Sequence, residues 1–475
     1  MSVDSLSLAT TLDDIHLTLS PEPLETREEI EAFYRDELNQ VRGGDKTQRL
    51  KLGLRRAIQG RSFYKACLMG HQGVGKSTEL TRLINDEAVQ QQFCAIRFSV
   101  TKELDPGNFN PLDVLLLMIA EVVQHTAQPI DQGGAGQHPD RVRLQEVWDW
   151  FASEKVLREQ ATEGVLSGEA GTGVQGDSLW GKVLGLFASL KSELRFASTR
   201  KKEIVEYRLA RLNTLIEVAN RILIDCNQKL QQARGCQWLF IGEDFDKAGI
   251  PSEAIENLFI TYANIFSELE THLIFNLPIG LYNSSPAIRL SFPPERSLVI
   301  PDTPVFHPDH TPNELGRTAV RSVLEARIST DLFEPGQMER LIVASGGNLR
   351  DLFALVNYAA DTATLRNETH QINQDDANSA IRNLRSEYER RLGQNPYDKE
   401  EITYEKKAEL LKRIYDGDKE AQVPNPVLYA LLNDRAVQEF NGERWFGVHP
   451  LVVDLLNVQG RIPFAPSGGV PGGTR

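Results

Sequence analysis

The sequence contains little cysteine, and its cysteines are not spaced like a metal or redox motif. Cys67, Cys94, Cys226 and Cys236 are the only four in 475 residues, and no pair has the C-x-x-C spacing. So few scattered thiols in a long chain are typical of a protein that is not held together by disulfides. We therefore expect buried, reduced thiols in a cytoplasmic protein.

Long apolar runs and early basic residues are also missing. No stretch reaches the ~18 consecutive apolar residues that could span a bilayer. No Lys or Arg precedes Arg27, whereas a secretory or organellar signal carries positive charge near its start. These absences predict a chain with no membrane span and no targeting leader.

Basic residues are outnumbered by acidic ones, 52 to 66, which gives a net charge of −14. Neutralising nucleic-acid phosphates requires a basic face, so this balance argues against an obligate, nonspecific nucleic-acid binder. One local basic run, residues 195–202, is either a nucleic-acid contact or a solvated surface. DNA binding is therefore allowed but not favoured by charge.

A glycine-rich segment, residues 70–77, matches G-x-x-x-x-G-K-[S/T] between a strand pattern and a helix pattern. Its glycines would let consecutive N–H groups point at phosphate oxygens, Lys76 would reach the terminal phosphates, and the Ser77 hydroxyl would ligate Mg²⁺. The residues predicted to bind nucleotide are Gly70, His71, Gln72, Gly73, Val74, Gly75, Lys76, Ser77 and Thr78. The sequence therefore predicts a nucleoside-triphosphate site.

The order of strand and helix patterns predicts an α/β fold with a parallel sheet covered by helices on both faces. Strands are expected at residues 62–69, 93–100, 237–241, 271–275 and near 298–300. A helix is expected at residues 253–269. More than a hundred residues separate the second and third strands, far more than a crossover needs, which predicts a helical insertion at about 128–236. The Gly-rich residues 163–177 within it are expected to be a loose loop.

Composition and periodicity also predict the division of the chain into parts. We expect a flexible N-terminal lead at 1–24, an α/β core at 25–310, an all-helical segment at 311–392, a winged-helix domain at 400–460 and a disordered tail at 461–475. The winged helix rests on two helix patterns followed by a hairpin. In that hairpin, Asn441-Gly442 supplies the residues that a tight turn needs.

Two carboxylates follow the third strand. Glu243 and Asp244 would lie at the carboxyl edge of a parallel sheet, where ligands bind in open α/β folds. One acid there would hold the Mg²⁺ shell and the other would orient and polarise the attacking water. Acidic residues after a strand are equally common in solvated loops, but the upstream phosphate loop favours the catalytic interpretation.

Together, the glycine-rich loop and the strand ending in paired acids resemble the Walker A and Walker B motifs of P-loop ATPases. Two further features resemble the AAA+ class, in particular its initiator-like (origin-recognition type) members and their STAND relatives. Asn276 follows the fourth strand and matches the sensor 1 position. Residues 345–350, Ser-Gly-Gly-Asn-Leu-Arg, match the sensor 2 element, in which Arg350 would contact the phosphates and close the lid.

The resemblance implies that the core at 25–310 is a P-loop ATPase and that the helical segment at 311–392 is its lid. It also implies ATP and Mg²⁺ as cofactors, with Ser77 and Glu243 on the metal side and Glu243, Asp244, Asn276 and Arg350 in catalysis. Glu243 stands where the family usually has Asp, which predicts slow hydrolysis. Arg289 and Arg296 are the candidates by position for an arginine finger. No internal repeat of the STAND type is apparent, which favours AAA+.

The predicted function is an ATP-binding and ATP-hydrolysing AAA+ switch that couples nucleotide state to recruitment of another protein or to self-assembly. A role in a prokaryotic conflict or defence system is compatible with such a switch. The alternatives are a DNA-binding initiator- or loader-like ATPase and a non-hydrolysing nucleotide-binding scaffold. The winged helix is expected either to touch DNA or to relay the nucleotide state to a protein partner.

Overall fold

The computed structural model describes residues 6–162, 179–195, 209–247, 249–284, 286–366, 370–393, 402–440 and 444–463. Four of the sequence predictions fall wholly or largely outside these ranges. They are the Gly-rich loop at 163–177, the basic run at 195–202 beyond its first residue, the turn at 441–443 and the tail from 464 onward.

A parallel β-sheet forms the centre of the fold. In the described part of the chain it has five strands in the order β2-β3-β4-β1-β5. They are β1 (Lys65–Met69), β2 (Phe93–Ser99), β3 (Gln237–Glu243), β4 (His272–Leu277) and β5 (Ser297–Val299). All pairings are parallel, and β3 and β4 are buried along almost their whole length, as expected for strands covered on both faces. The predicted α/β class with a parallel sheet is confirmed.

Helices precede, connect and cover these strands. In chain order they are α1 (Ile15–Thr18), α2 (Arg27–Phe33), α3 (Glu37–Val41), α4 (Lys46–Gln59), α5 (Lys76–Ile84), α6 (Glu87–Gln90), α7 (Val100–Glu103), α8 (Pro111–Ala127), α9 (Arg141–Thr162), α10 (Leu179–Arg195), α11 (Leu212–Arg234), α12 (Ser252–Glu256), α13 (Asn264–Glu268) and α14 (Ile279–Ser284). Short 3₁₀ turns occupy Leu12–Asp14, Ile130–Gln132, Pro286–Leu290 and Pro294–Arg296, and a π-helical turn occupies Asn257–Thr261. Among the described helices, none is long and apolar enough to cross a membrane.

Helices α8 to α11 lie between β2 and β3 in the chain. Helix α8 begins with a capping box at Asn110 and is buried on nearly every side, because it packs against both β2 and α11. A helix that is apolar all round is stable only in such a position. The long connection therefore adds to the main hydrophobic core, to which Phe187 of α10 and Ile222 of α11 both belong.

A second group of helices follows β5. These are α15 (Glu314–Glu325), α16 (Gln337–Ala344), α17 (Leu349–Arg366) and α18 (Gln374–Leu392), with a 3₁₀ turn at Thr330–Leu332. Helix α17 packs along α18, and their buried side chains form a core separate from that of the sheet. We call this group the lid helices.

The C-terminal unit comprises residues 402–440 and 444–463. It contains α19 (Tyr404–Tyr415), a 3₁₀ turn at Lys419–Gln422, α20 (Pro426–Asn433), β6 (Val437–Phe440), β7 (Trp445–Val448) and α21 (Pro450–Val458). Strands β6 and β7 pair antiparallel, so the described elements follow the predicted order of two helices, a hairpin and a helix. Helix α21 packs on α18, and the unit shares its hydrophobic core with the lid helices.

The prediction of a flexible lead at residues 1–24 is wrong for residues 6–24. Ile15 and Leu19 are fully buried in the core of the lid helices. The backbone of Ala9 exchanges hydrogen bonds with Arg327 (2.8 Å) and Ser329 (2.9 Å). The Ser, Thr and Asp content suggested a loose chain, but a few well-placed apolar side chains hold this segment against the lid.

Two boundaries also differ from the sequence prediction. The helix expected at 253–269 is divided into α12, the π-helical turn and α13. Phe259 and Phe266 from this region both pack on the Phe275 ring, with centroid distances of 6.0 and 4.9 Å. Asn276, expected just after the fourth strand, lies within β4.

Candidate functional site

The glycine-rich loop joins β1 to α5, as the sequence predicts. Gly73 (φ 88°) and Gly75 (φ 101°) adopt left-handed conformations that other residues rarely reach. A Cβ at Gly73 would lie only 2.4 Å from the Cβ of Arg350, so glycine is also required for the loop to approach the lid helices. Helix α5 begins at Lys76, and its first turn faces the cavity described next.

A cavity of about 850 Å³ opens above the carboxyl ends of the strands. Its floor is the glycine-rich loop from Gln72 to Thr78, together with Glu243, Asp244 and Asn276 from the neighbouring strands. One wall is the N-terminal segment 17–25, and the other includes Arg350 at the start of α17. The sheet and the lid helices therefore enclose one space of the size of a ligand pocket.

Lys76 is almost fully buried at the base of this cavity. Its ammonium donates to the carbonyl oxygens of Gly70 (2.7 Å) and His71 (2.8 Å) and forms an ion pair with Asp246 Oδ2 (2.6 Å). The Gln72 side chain also donates to the Asp246 carbonyl oxygen. Asp246 thus fastens the loop after β3 to the glycine-rich loop through both its carboxylate and its backbone.

Glu243 is paired with an arginine of the adjacent strand. Arg97 of β2 donates to Glu243 Oε2 through Nη2 (2.7 Å) and Nε (3.2 Å), and also to the Thr81 hydroxyl (3.0 Å). Burial raises the pKa of the Glu243 carboxyl above its usual value, and Arg97 opposes that effect. The other carboxylate oxygen, Oε1, is buried with no hydrogen-bond partner.

Asp244 adopts a left-handed backbone conformation (φ 70°) directly after β3. Its Oδ2 accepts hydrogen bonds from the Ser99 and Thr101 hydroxyls, and Lys247 lies 3.2 Å from Oδ1. Burial alone would raise the pKa of Asp244, but these hydrogen bonds and the charge of Lys247 lower it below the usual value. The carboxylate is therefore held ionised and in one orientation.

Asn276 lies on β4 at the floor of the cavity and is 2% exposed. Its side-chain Oδ1 is buried with no hydrogen-bond partner. Leaving a buried acceptor unpaired costs about 1–3 kcal/mol, so such an atom in a cavity marks a place where a donor is expected. A bound water or another hydrogen-bond donor would satisfy Asn276 here.

The described residues fit a magnesium ion held partly by phosphate and water. Ser77 and Glu243 both line the cavity, and the unpartnered Glu243 Oε1 can accept from the ion's shell. Within the described ranges, His, Cys, Asp and Glu residues form no cluster of three or more that would enclose a metal. Mg²⁺ commonly keeps several waters and uses one or two protein ligands beside phosphate, so this donor set suits it.

The predicted sensor 2 segment is a tight turn between α16 and α17. Gly346 (φ 59°) and Gly347 (φ 75°) form the turn, and a Cβ at Gly347 would meet the Thr303 carbonyl oxygen at 1.8 Å. Asn348 then donates to the Gln72 carbonyl oxygen (2.9 Å) and to Asp302 Oδ1 (2.8 Å). This places Arg350 in the first turn of α17, facing the glycine-rich loop.

His71, predicted to bind nucleotide, directs its side chain away from the cavity. Its Nδ1 donates to Asp302 Oδ2 (2.8 Å), and both side chains are buried. Although burial opposes the shift, hydrogen bonds from His71 and Asn348 lower the pKa of Asp302 to about 2. His71 could therefore contribute only its backbone to a phosphate site.

The two candidate arginine fingers lie outside this cavity. Arg289 is exposed on the 3₁₀ turn that follows α14. Arg296 lies at the amino end of β5, 5.4 Å above the Tyr64 ring and 3.5 Å from the Phe63 carbonyl oxygen. Arg296 is thus at the opposite edge of the sheet from the glycine-rich loop, and any contact with nucleotide would be with that of another subunit.

The sequence reasoning missed Arg97 and Asp246 as site residues. Arg97 had a visible signal, because it is the one charged residue in the otherwise apolar strand 93–100. Asp246 belonged to the acidic run after β3 but was not distinguished from its neighbours. Which acid meets Lys76 depends on the path of the loop after β3, and no spacing rule predicts that path.

No family model and no curated protein matches this sequence. Solved structures do show similarity over most of the chain. The Orc1 protein of Aeropyrum pernix, solved in complex with DNA, is 14% identical, with 87% of this chain and 91% of that chain covered and a TM-score of 0.35. Cdc6p of Pyrobaculum aerophilum is 12% identical (94% and 98% covered, TM-score 0.36), and the A. pernix Orc2 protein in its ADP form is 13% identical (90% and 97%, TM-score 0.34).

Proposed function

We propose that this chain is an ATP-binding switch of the AAA+ type that transmits its nucleotide state to the C-terminal unit. The transmitted change would recruit or release another protein or a second copy of the chain. ATP would occupy the cavity between the glycine-rich loop and the lid helices, with its phosphates at Lys76 and Arg350. The observation that carries this proposal is a buried polar network that runs from the glycine-rich loop to the C-terminal unit.

The first part of the network joins the glycine-rich loop to the lid helices. The Gln72 carbonyl oxygen accepts from Asn348, and Asn348 in turn donates to Asp302. Asp302 also accepts from His71. A phosphate that repositions residues 72–75 would therefore act directly on the turn that precedes α17.

The second part joins the lid helices to the C-terminal unit. Arg435, which precedes β6 in a left-handed conformation (φ 61°), forms an ion pair with Asp351 (3.0 Å). The other oxygen of Asp351 accepts from the Tyr388 hydroxyl (2.6 Å). Arg435 Nη1 is also 3.5 Å from both the Gln72 carbonyl oxygen and Asn348 Oδ1. Arg435 thus connects the C-terminal unit to the lid helices and to the glycine-rich loop.

The third part is formed by the hairpin and α21. Gln438 of β6 donates to the Gly346 carbonyl oxygen (3.0 Å), and His449 donates to the Ser345 carbonyl oxygen (3.1 Å). The His449 ring also stacks on Tyr388 with a centroid distance of 4.3 Å. The carbonyl oxygens of Ser345 and Gly346 in this turn therefore accept hydrogen bonds from the C-terminal unit, which lies beyond the nucleotide cavity.

Nucleotide would shift this network through Arg350. Within the described residues, Arg350 has no carboxylate within ion-pair distance, and it is adjacent to Asp351, which holds Arg435. A γ-phosphate that draws Arg350 toward Lys76 would move the first turn of α17 and with it Asp351. A ligand shifts such an equilibrium only by its difference in affinity for the two states, and the γ-phosphate supplies that difference.

Hydrolysis would use the residues on the cavity floor. Mg²⁺, when bound beside Ser77 and Glu243, would neutralise the charge that develops on the phosphates. Asp244 is ionised and fixed by Ser99 and Thr101, so it can accept a hydrogen bond from an attacking water. Asn276 Oδ1, which has no other partner, can orient the same water. A lowered pKa makes Asp244 a weak base, and we infer slow turnover.

A non-hydrolysing nucleotide-binding scaffold is the second candidate, and the Glu243–Arg97 ion pair favours it. A metal-side carboxylate already neutralised by a guanidinium binds cations less strongly. Turnover that is absent from the wild-type protein while ATP binds would support this candidate. Turnover that is present, and is lost in both Glu243→Ala and Asp244→Ala, would exclude it.

The first experiment tests the nucleotide site by calorimetric titration with ATP and Mg²⁺. Wild-type protein should bind, Lys76→Ala should lose at least tenfold in affinity, and the exposed-lysine control Lys419→Ala should bind like wild type. If Lys76→Ala retained wild-type affinity, the proposed site would be wrong.

The second experiment tests the coupling by hydrogen exchange with and without ATP. In wild type, ATP should change exchange in β6 and α21 as well as in the glycine-rich loop. In Arg435→Ala, nucleotide should still bind and change exchange in the loop, but the response of β6 and α21 should disappear. An ATP response confined to the loop in the wild-type protein would refute the switch while leaving nucleotide binding intact.

A further inference from the structure

Two of the four cysteines meet across neighbouring strands at the sheet edge. Cys94 lies on β2, the edge strand of the sheet, and Cys236 immediately precedes β3. Their sulfur atoms are 2.7 Å apart, although the residues are 142 positions apart in the sequence. Both are free thiols in this structure. Non-bonded heavy atoms normally stay ~3.5–4.0 Å apart, so the backbone here already holds the two sulfurs at close contact.

We propose that Cys94 and Cys236 form an oxidant-sensitive dithiol site that peroxide converts to an intramolecular disulfide. The register of the sheet fixes the geometry: Phe93 pairs with Gln237, and the Gln237 N–H donates to the Gln92 carbonyl oxygen at 2.9 Å. These contacts hold the start of β2 beside the start of β3. Bond formation therefore requires only a small closing movement of two side chains.

The surroundings of the pair suit thiol chemistry. Cys94 is partly exposed at the sheet edge, whereas Cys236 is 2% exposed. The hydrogen bond from Cys94, aided by the charge of Arg234, lowers the pKa of the Cys236 thiol to about 7. A thiolate is the reactive form, and the partly exposed Cys94 gives peroxide access to the pair.

The reaction is balanced with hydrogen peroxide as the oxidant. The thiolate of one cysteine of the pair attacks one peroxide oxygen, an S–O bond forms, the O–O bond breaks, and the leaving hydroxide takes up a proton to give water. The sulfur of the other cysteine then attacks the resulting sulfenic acid, an S–S bond forms, the S–O bond breaks, and the hydroxyl leaves as water with the thiol proton. Two thiols are oxidised and one peroxide is reduced to two waters.

The disulfide would close a loop that contains most of β2 and all of helices α8 to α11. A cross-link that closes a long loop stabilises a protein mainly by restricting its unfolded chain. The bond would lie at the amino ends of β2 and β3, whereas the nucleotide cavity lies at their carboxyl ends. Oxidation would thus tie the long insertion to the sheet without occupying the nucleotide site.

The test is to treat the native wild-type protein with hydrogen peroxide, block free thiols with iodoacetamide, and map peptides by mass spectrometry without reduction. We expect a Cys94–Cys236 cross-linked peptide, loss of the mass of two hydrogens, restoration by dithiothreitol, and a higher melting temperature than in the reduced protein. Cys67 and Cys226, both fully buried, should remain as two free thiols after unfolding.

Matched variants separate this pair from general oxidation. Cys67→Ser and Cys226→Ser should still form the cross-link, whereas Cys94→Ser and Cys236→Ser should each form no disulfide within the chain. The wild-type peptide map does not depend on the folding of any variant. Four free thiols after peroxide treatment, a disulfide between any other pair, or cross-linking between chains would each overturn the proposal.

Discussion

At the scale of single residues, the charge of Lys76 is neutralised by a carboxylate. Its ammonium lies 2.6 Å from Asp246, and both side chains are nearly buried. A triphosphate that binds at Lys76 would have to displace this carboxylate. The ion pair holds the glycine-rich loop in place and would compete with a bound triphosphate.

Removing that competition should tighten nucleotide binding. In Asp246→Asn the side chain keeps its size but loses its charge, and the backbone contact with Gln72 is unaffected. We expect the dissociation constant for ATP, measured by calorimetry, to fall about tenfold, which corresponds to ~1.4 kcal/mol. Asp309→Asn, a substitution on the exposed surface, serves as the control and should not change it. Weaker binding by Asp246→Asn would mean that Asp246 contacts the ligand or its metal.

The contribution of His449 to folding stability is expected to depend on pH, because its hydrogen bonds require a neutral ring. Its Nε2 donates to the Ser345 carbonyl oxygen, and its Nδ1 accepts from the Leu451 N–H (3.2 Å), so the neutral ring satisfies both partners. Burial lowers the pKa of His449 to about 4. Between pH 6.5 and 4 the unfolded chain binds this proton and the folded chain does not, so stability falls as the pH falls through that window.

The expected loss from His449 is about 3 kcal/mol in the free energy of unfolding between pH 7 and pH 4. Urea denaturation at a series of pH values should show that His449→Gln loses less stability on acidification than wild type. Other titrating groups cancel in this comparison, among them His272, with a pKa lowered to about 4 by burial, and Asp454, with a pKa raised to about 6 by burial. Parallel curves for the two proteins would contradict the assignment.

Sequence patterns predicted the local structure around the cavity better than the contacts between its side chains. The spacing of Lys76 and Ser77 predicted a glycine-rich loop between a strand and a helix, and the structure has that loop because its conformation depends on a short local segment. The partners of the acids depend on the register of the sheet: Arg97 reaches Glu243 because β2 lies beside β3, with Ser99 paired to Glu243. No local pattern contains that information, so Glu243 was expected to face a metal and not a guanidinium.

At the scale of elements, the turn between α16 and α17 depends on a glycine for space as well as for backbone conformation. Gly347 has φ 75°, and a Cβ there would meet the Thr303 carbonyl oxygen at 1.8 Å. Gly417, at the end of α19, has a similar φ of 78° but open space around it. An alanine at Gly417 therefore measures the cost of backbone strain alone, whereas an alanine at Gly347 measures that strain together with a steric clash.

We expect Gly417→Ala to lower the free energy of unfolding by about 1–2 kcal/mol, the cost of a left-handed conformation for a residue with a Cβ. Gly347→Ala should lose that amount and a further ~1–3 kcal/mol, because the backbone near Thr303 must move. Urea denaturation of both variants measures the difference. Equal losses would show that the turn can move away from the Thr303 backbone without penalty.

The strands of the sheet were predicted more accurately than the N-terminal segment. Apolar runs such as 237–241 and 271–275 gave the buried strands because parallel strands covered on both faces are apolar throughout. The N-terminal segment was misread, because its polar composition hid Ile15 and Leu19, which are buried only through contacts with the distant lid helices. Because this segment is held in place by tertiary packing, its sequence shows no local periodicity that predicts its burial.

At the scale of the whole molecule, a polar network joins the hydrophobic cores around the sheet to the core of the lid helices. Two cores cover the sheet, one with helices α8 to α11 and one with α4 and α5, and a third is shared by the lid helices and the C-terminal unit. The cavity at the carboxyl ends of the strands lies between the sheet and the lid helices, with Asn276 on its floor and Arg350 on its wall. A ligand held by both sides can thus change how the sheet and the lid helices are arranged.

The charge of the whole chain bears on whether its C-terminal hairpin reads DNA. The net charge is −14, and the described basic residue of the hairpin, Arg444, is paired with Glu439 at 3.1 Å. Binding that neutralises several phosphates weakens with salt at a slope of about −0.9 per phosphate. We expect fluorescence anisotropy with duplex DNA at low salt to show neither tight binding nor such a slope, and ATP turnover to be unaffected by DNA. Glu439→Gln removes the carboxylate that pairs with Arg444 and is therefore the variant most sensitive to DNA. If wild type binds DNA with a steep salt slope and Glu439→Gln binds DNA more tightly, the hairpin contacts DNA. The proposed relay to a protein partner would then be wrong.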